Sequence, residues 1–556
     1  MSGTSSPPPA DRPHLDATDA TDATDATDAS DASDVLVVGY GPVGQVLSIL
    51  LARQGRRVTV VERWETPYPM PRATVFDGET ARALASLGIA SSFEEIGEPV
   101  DAYDWRNAAG RTLLRMDFAS PGAHGWPDAT TFHQPALEAA LAERAAEFEE
   151  RGLLRVLRGH TATAVADHGD DGVTLTAETA AGEVRTLEGA WLVGCDGANS
   201  RIRELLDVDV TDLGFSFDWL LCDVLLNEPR EFTPSNAQIC DPARPTTVVG
   251  SGPGRRRWEF MRLPDESAEE LNTPETAWRL LKSFDVTPEN AVLARHTVYT
   301  FRAALADTWR KGRVLLAGDA AHSMPPFAGA GMCSGIRDAL NLSWKLDRVL
   351  RGASDARLLD TYGPERRGHV LRTIELSVQL GKIVCVTDAD EATRRDAALT
   401  AGQTPDRPVT QPLREGVLHR TVGTVAAPPT GSPVPQGRVA RDGVTGLFDQ
   451  VVGTGFVLLT TEDPDAVLSA EQHALLAEIG ARTVRLAPAG APAAGAVTDL
   501  DDVYLPFMAS VRARFVLVRP DFHVFGVGRS TRELGMVLDQ LRTQLMVTGA
   551  GHPPRH

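Results

Sequence analysis

One segment constrains this chain more than any other: Gly39-Tyr40-Gly41-Pro42-Val43-Gly44. A GxGxxG spacing by itself is a weak signal. Here it follows Val35–Val38, a short apolar run with a β-branched majority bounded by Asp34 and Gly39. It precedes Val46, Leu47, Leu50 and Leu51, which recur at helical spacing before Gly55 ends the helix. Val58–Val61 then forms a second strand, so the motif sits in the β-α-β context it requires. Gly39 permits a tight turn, Gly41 lets the backbone approach a pyrophosphate, and Gly44 lets helix and strand pack closely. The helix start supplies free N–H groups and positive dipole for phosphates, so Pro42 and Val43 belong to the same site. Glu62 ends the second strand, 23 residues after Gly39, with Arg63 beside it. A carboxylate there accepts ribose hydroxyls and repels a 2′-phosphate, which points to FAD or NAD rather than NADP.

Two further motifs follow apolar strands. Gly194-Cys195-Asp196-Gly197-Ala198-Asn199-Ser200-Arg201-Ile202-Arg203 comes after Ala190–Val193, and Gly318-Asp319-Ala320-Ala321-His322-Ser323-Met324-Pro325-Pro326 after Val314–Ala317. Either alone fits a loop with an N-cap aspartate. The three together, in this order, are much more specific.

A length of 556 residues predicts two to four structural units, and 42% hydrophobic with 23% charged residues is ordinary globular composition. The formal charge of -20 argues against nucleic acid or anionic membrane as a partner. Five scattered cysteines without a CxxC argue against a metal site or a disulfide framework, and they fit a reducing cytoplasm. No 18-residue apolar run predicts a membrane span, and the N-terminus has no apolar signal core. Residues 1–34, with Asp-Ala-Thr and Asp-Ala-Ser repeats, read as a disordered acidic tail.

The predicted order is a domain for bound FAD or NAD over 35–213, a strand-rich domain over 214–305, and a return to the first domain, with long helices, over 306–386. That return includes a long helix from about Gly335 to Leu350. A Pro/Gly/Thr/Arg-rich linker covers 387–440, and a last α/β unit covers 441–556. Between the motifs, Pro135–Arg151 reads as a helix and Val173–Ala177 as a strand. The fold class is thus α/β: a doubly wound Rossmann-like domain interleaved with a β-sheet substrate domain.

At this point the chain resembles the single-component, class A flavoprotein aromatic hydroxylases. Gly194–Arg203 resembles their DG motif and Gly318–Pro326 their GD motif. Pro326–Leu346, Arg255–Met261 and Phe132–Pro135 resemble the subgroup containing 3-(3-hydroxyphenyl)propionate hydroxylase. The likeness spans roughly residues 35–545. It implies non-covalent FAD, NADH or NADPH as a transient co-substrate, and O2, with a small aromatic substrate hydroxylated through a flavin C4a-hydroperoxide. It implies that Asp319 bonds the ribityl chain, that Gln134 and Arg72 lie along the ribityl and pyrophosphate, and that Asp196 and Gly318 join the site. Pro325, Pro326, Gly329 and Gly331 would line the reacting edge of the flavin, with backbone N–H groups of the Gly329–Met332 stretch, Ala330 included, facing its N1–C2=O edge. His322 and His133 are expected to be structural.

Trp219, Val248, Trp258 and Phe260 are the candidates to line the substrate pocket, Arg255 and Arg257 are expected at the surface, and no phenol base stands out. The C-terminal unit resembles the thioredoxin-like domain of phenol hydroxylase. It lacks CxxC, so a structural or homodimer-forming role is the better expectation. The flavin motifs do not separate hydroxylation from a Baeyer–Villiger or epoxidising reaction on a polyketide-like substrate. A halogenase would need a WxWxIP segment, which is missing, and a non-enzymatic FAD-fold module would not oxidise NAD(P)H.

Overall fold

The computed structural model of the chain describes residues 32–403, 411–420 and 426–546. The acidic repeat tail lies outside them except at its end. There Ser33 and Asp34 belong to the first strand, Ser33–Val38, and the Ser33 hydroxyl meets Thr59 Oγ1 at 2.7 Å.

The first sheet is built on parallel strands in the order Val314–Leu316, Val184–Gly194, Ser33–Val38, Val58–Glu62, Leu154–Arg158. The helices Pro42–Arg53, Gln134–Glu150 and Gly331–Leu350 pack with it. The strand order reverses beside Ser33–Val38, and in such sheets ligands bind outside the strand C-termini at the switch point. All three glycine motifs leave strands at that edge.

The second sheet has the order His322–Ser323, Ala291–Ala306, Val210–Leu226, Arg255–Met261, Thr246–Gly250, Ala237–Cys240, Ala102–Asn107, Thr112–Asp117. Its last two strands come from the stretch assigned to the FAD domain by sequence, so the chain enters this sheet twice. Alternation divides its side chains cleanly. Leu220, Cys222, Val248, Trp258 and Phe260 join a core cluster with Leu271, Ala277 and Leu281 of the outer helices. Trp219, Leu221 and Met261 face the main core instead. We call the latter the inner face.

The third sheet, of seven strands between Arg438 and Gly528, carries its own cores. The segment read as linker is more ordered than composition suggests. It holds a helix, Ala389–Thr400, capped by Asp388, and it buries Leu413, Val417 and Leu418. The long helix starts at Gly331 rather than Gly335. A second long helix, Tyr362–Val384, lies in the 306–386 stretch expected to hold long helices, although buried Glu365, Arg366 and His369 break its apolar period. Among the described residues no helix is long and apolar enough to cross a membrane, and no cluster of metal-ligating side chains occurs.

Candidate active site

The three glycines of the first motif are required for different reasons. A Cβ on Gly39, whose φ is +100°, would stand 2.4 Å from the Cys195 carbonyl oxygen. A Cβ on Gly44 would stand 2.0 Å from the Gly39 carbonyl oxygen. A Cβ on Gly41 would meet nothing within 4 Å. Gly39 and Gly44 therefore answer to the protein's own packing. Gly41 faces an open cleft lined also by Glu62, Arg72, Gln134 and Asp196, where a glycine leaves room for a closely approaching ligand.

Each wall of the cleft has a preset charge. Glu62 accepts the Tyr40 backbone N–H at 2.7 Å and the Trp64 N–H at 2.9 Å, which fixes its carboxylate at the strand end. Arg158 pairs with Glu62 in the sheet register, and its guanidinium lies 5.2 Å from the Tyr40 ring. Sequence reasoning missed Arg158, because finding it requires the strand order. Gln134 Oε1 accepts the N–H groups of both Arg72 and Ala73 at 2.8 Å, while its amide donates to Glu138. The Arg72 guanidinium forms no ion pair among the described residues and lies over the Tyr68 ring at 5.2 Å. Arg63 is exposed and stacks over Trp64.

Asp196 is committed differently from expectation. Its oxygens accept the Ser200 hydroxyl at 2.5 Å and the Ile202 N–H at 3.0 Å, so it shapes the loop rather than presenting a free carboxylate. Asp319 is the opposite case: no hydrogen bond from the described residues reaches its carboxylate. Burial pushes its pKa up, against the pull of His322 and Arg72. A carboxyl with no donor among the described residues, just past a strand end at that edge, suits hydroxyl donors such as those of a ribityl chain.

Beneath Asp319 lies a buried triad. Asp338 Oδ2 accepts His322 Nε2–H at 2.7 Å and the Gly318 N–H at 3.1 Å, while Oδ1 accepts Arg366 at 2.8 Å. His322 is therefore structural. Val43 packs its side chain toward Gly318 and Gly335, so it offers a ligand only its backbone. Pro325 is buried with its carbonyl taken by the Ser377 hydroxyl at 2.5 Å, whereas Pro326 is exposed. Gly329 corrects another expectation. Its N–H closes a turn on the Pro326 carbonyl at 2.8 Å, so its contribution is the φ of +61° that ends the turn. Ala330, Gly331 and Met332 follow as the helix start, whose N–H groups have no intrahelical acceptor.

The predicted substrate residues divide. Trp219 lies on the inner face, its ring 5.6 Å from Phe327 of the Pro326–Ala328 turn. Val248, Trp258 and Phe260 do not, because they fill the outer core, and their assignment to the pocket is withdrawn. Arg257, expected in solvent, is 1% exposed and forked onto Asp223 at 2.7 and 3.2 Å. It also donates to the Pro71 and Arg72 carbonyls, tying the inner face to the cofactor cleft.

A doubly wound sheet whose three glycine motifs leave strand ends at one edge, two of them lining one cleft, with a second sheet tied to that cleft through Arg257, fits a flavin-dependent oxidoreductase. The comparisons narrow this. A family model described as "FAD binding domain" matches residues 32–377, and one described as "HcaD C-terminal domain" matches 431–544. The chain is 36% identical over 97% of both chains to a "Probable NADH-specific resorcinol 4-hydroxylase" of Rhodococcus jostii. It is 35% identical, over 82% of each, to a "3-(3-hydroxy-phenyl)propionate/3-hydroxycinnamic acid hydroxylase" of Mycolicibacterium smegmatis. Among solved structures, an aklavinone-11 hydroxylase in complex with FAD and aklavinone superposes with a TM-score of 0.74 at 26% identity, covering 92% of this chain and 99% of that one. The chain belongs to the class A FAD-dependent aromatic hydroxylases. It is an FAD monooxygenase driven by a reduced nicotinamide cofactor and O2.

Proposed function

We propose that this enzyme hydroxylates the ring of a small phenol carrying a free hydroxyl, with NADH as reductant. The observation that carries this is the end-to-end match to the resorcinol 4-hydroxylase, supported by the hydroxyphenyl group in the second relative's named substrate. The chemistry these names describe is ring hydroxylation, which favours it over ester insertion or epoxidation. Five unpaired cysteines are consistent with a cytoplasmic enzyme.

The residues divide the work. The Gly39–Gly44 turn and the helix it opens hold the pyrophosphate, and Glu62 takes the adenosine ribose hydroxyls. Asp319, Arg72 and Gln134 hold the ribityl region, and the helix start at Ala330–Met332 stabilises negative charge at the pyrimidine edge of the ring. Bound there, FAD supplies hydride acceptance from NADH and activation of O2. The inner face with Trp219 closes over the ring and excludes water, which favours oxygen transfer over loss as H2O2.

Glu62→Ala and Asp319→Ala are each expected to weaken FAD binding about 10- to 100-fold, the worth of one charge-assisted hydrogen bond. Equilibrium titration of apoprotein with FAD checks this, and an unchanged Kd at either position refutes its role. The substrate proposal is tested by NADH oxidation of the yellow holoenzyme with resorcinol and with 3-(3-hydroxyphenyl)propionate. Stimulation by at least one, with a product 16 mass units heavier, is expected; stimulation by neither contradicts it.

A further inference from the structure

The inner face of the second sheet carries a row of side chains that the cofactor site does not use. In register across five strands the row runs Leu221, Glu259, Thr247, Gln238, Trp105. Most of its polar atoms are spoken for. Thr247 Oγ1 donates to Gln238 Oε1 at 2.7 Å, and Gln238 Nε2 donates to the Tyr103 hydroxyl at 2.6 Å. Glu259 stands apart. It is 4% exposed, yet no hydrogen bond from the described residues reaches its carboxylate. Among the described residues its one cationic partner is Arg257, whose Nη1 is 3.8 Å away and whose Nε and Nη2 are forked onto Asp223.

Its place along the strand is equally specific. Two residues before it, Arg257 holds the Pro71 and Arg72 carbonyls at one side of the cofactor cleft. Two residues after it, Met261 pairs with Trp219, whose ring contacts Phe327 beside the Pro325–Pro326 turn. Along its strand Glu259 thus lies between the residue tied to the Pro71–Arg72 loop and the residue paired with Trp219, which reaches the Pro326–Ala328 turn. A buried carboxylate without a donor is costly, and such groups are kept where a function uses them.

We propose that Glu259 is the catalytic base of this hydroxylase, receiving the proton of the substrate's ring hydroxyl. The inference rests on the phenol reading above and names the base that reading lacks. The phenolic O–H bond breaks, its proton moves to a Glu259 oxygen, and the freed electron pair enriches the ring carbon that is attacked. Glu259 then returns its proton to the phenolic oxygen, and the attacked carbon loses its own hydrogen as a proton to solvent, the C–H electron pair restoring aromaticity. The electrostatics suit the task. Burial pushes the Glu259 carboxyl up to about 7, Arg257 opposing and Asp223 adding to the rise, which poises it near working pH. Tyr103, the other titratable neighbour, is raised by burial and by Glu259 itself and stays neutral.

The test uses holoenzyme with Glu259→Gln and Glu259→Asp. For Gln, hydroxylated product at pH 7 is expected to fall about 10²- to 10⁴-fold, with NADH electrons diverted to H2O2. Its rate should recover only toward the pH at which the free phenol ionises, while wild type rises through about 7. Asp should restore part of the product. Phenol binding, followed by flavin absorbance and independent of turnover, should tighten through the same pH range in wild type and stay flat in Gln. Wild-type product yield and pH profile in Gln, or equal binding curves, overturn the proposal. If instead wild type binds phenol with the expected pH dependence but turns over neither test substrate, the substrate reading fails and Glu259 stands.

Discussion

Asp338→Ala is expected to destabilise the folded protein by about 3–5 kcal/mol, because it leaves Arg366 without its partner in a fully buried site and strips His322 of its acceptor. The loss is not confined to the ion pair. Asp338 also accepts the Gly318 N–H, so the turn that presents Asp319 loses its anchor. FAD content should fall with stability. Burial alone would raise the Asp338 pKa, but His322 and Arg366 outweigh it and hold the carboxyl low. A carboxylate depressed in the folded state stabilises fully above its unfolded pKa, about 3.9. That contribution disappears as pH falls through the lower folded value. Urea unfolding of wild type and variant should therefore differ most at neutral pH, begin to approach each other below about pH 4 and converge only below the depressed folded value. A difference under about 1 kcal/mol at pH 7 would mean that the triad is not an anchor.

The second large effect separates ligand from fold. Gly44→Ala forces a Cβ to within 2.0 Å of the Gly39 carbonyl oxygen and is expected to destabilise the protein itself by about 1–3 kcal/mol or more. Gly41→Ala meets no protein atom within 4 Å. Its apoprotein should unfold within about 0.5 kcal/mol of wild type, while FAD affinity drops roughly 10- to 100-fold from crowding against the pyrophosphate. Thermal melts of apoprotein beside FAD titrations distinguish the two. Equal FAD affinity in Gly41→Ala would remove the pyrophosphate from this turn.

Local chemistry made the cofactor side of the molecule legible. Val35–Val38, the glycine turn and Glu62 are fixed by a tight turn, a close helix and a strand end, all within 30 residues. The long helix was placed four residues late, because Gly331, Cys333 and Ser334 are weak helix formers held by packing rather than propensity. The pocket was misread for a different reason. Arg255–Met261 alternates charged Arg257 and Glu259 with apolar Trp258 and Phe260, and in a half-buried sheet charge points to water. This strand is covered on both sides. The apolar set meets the outer helices, and Arg257 and Glu259 are buried on the inner face. Alternation divides the residues correctly and says nothing about which face a flavin roofs. That depends on the strand at 102–107 joining the sheet from another part of the chain.

The reaction that defines this enzyme is oxygen transfer from O2 to a phenol ring. The direct measurement is a turnover of holoenzyme with NADH and resorcinol under ¹⁸O2, analysed by mass and NMR. The account predicts one ¹⁸O per product molecule, in a new ring hydroxyl beside the retained ones. An oxygen found in an ester or epoxide, a hydroxyl drawn from water, or NADH consumed with only H2O2 formed would contradict it.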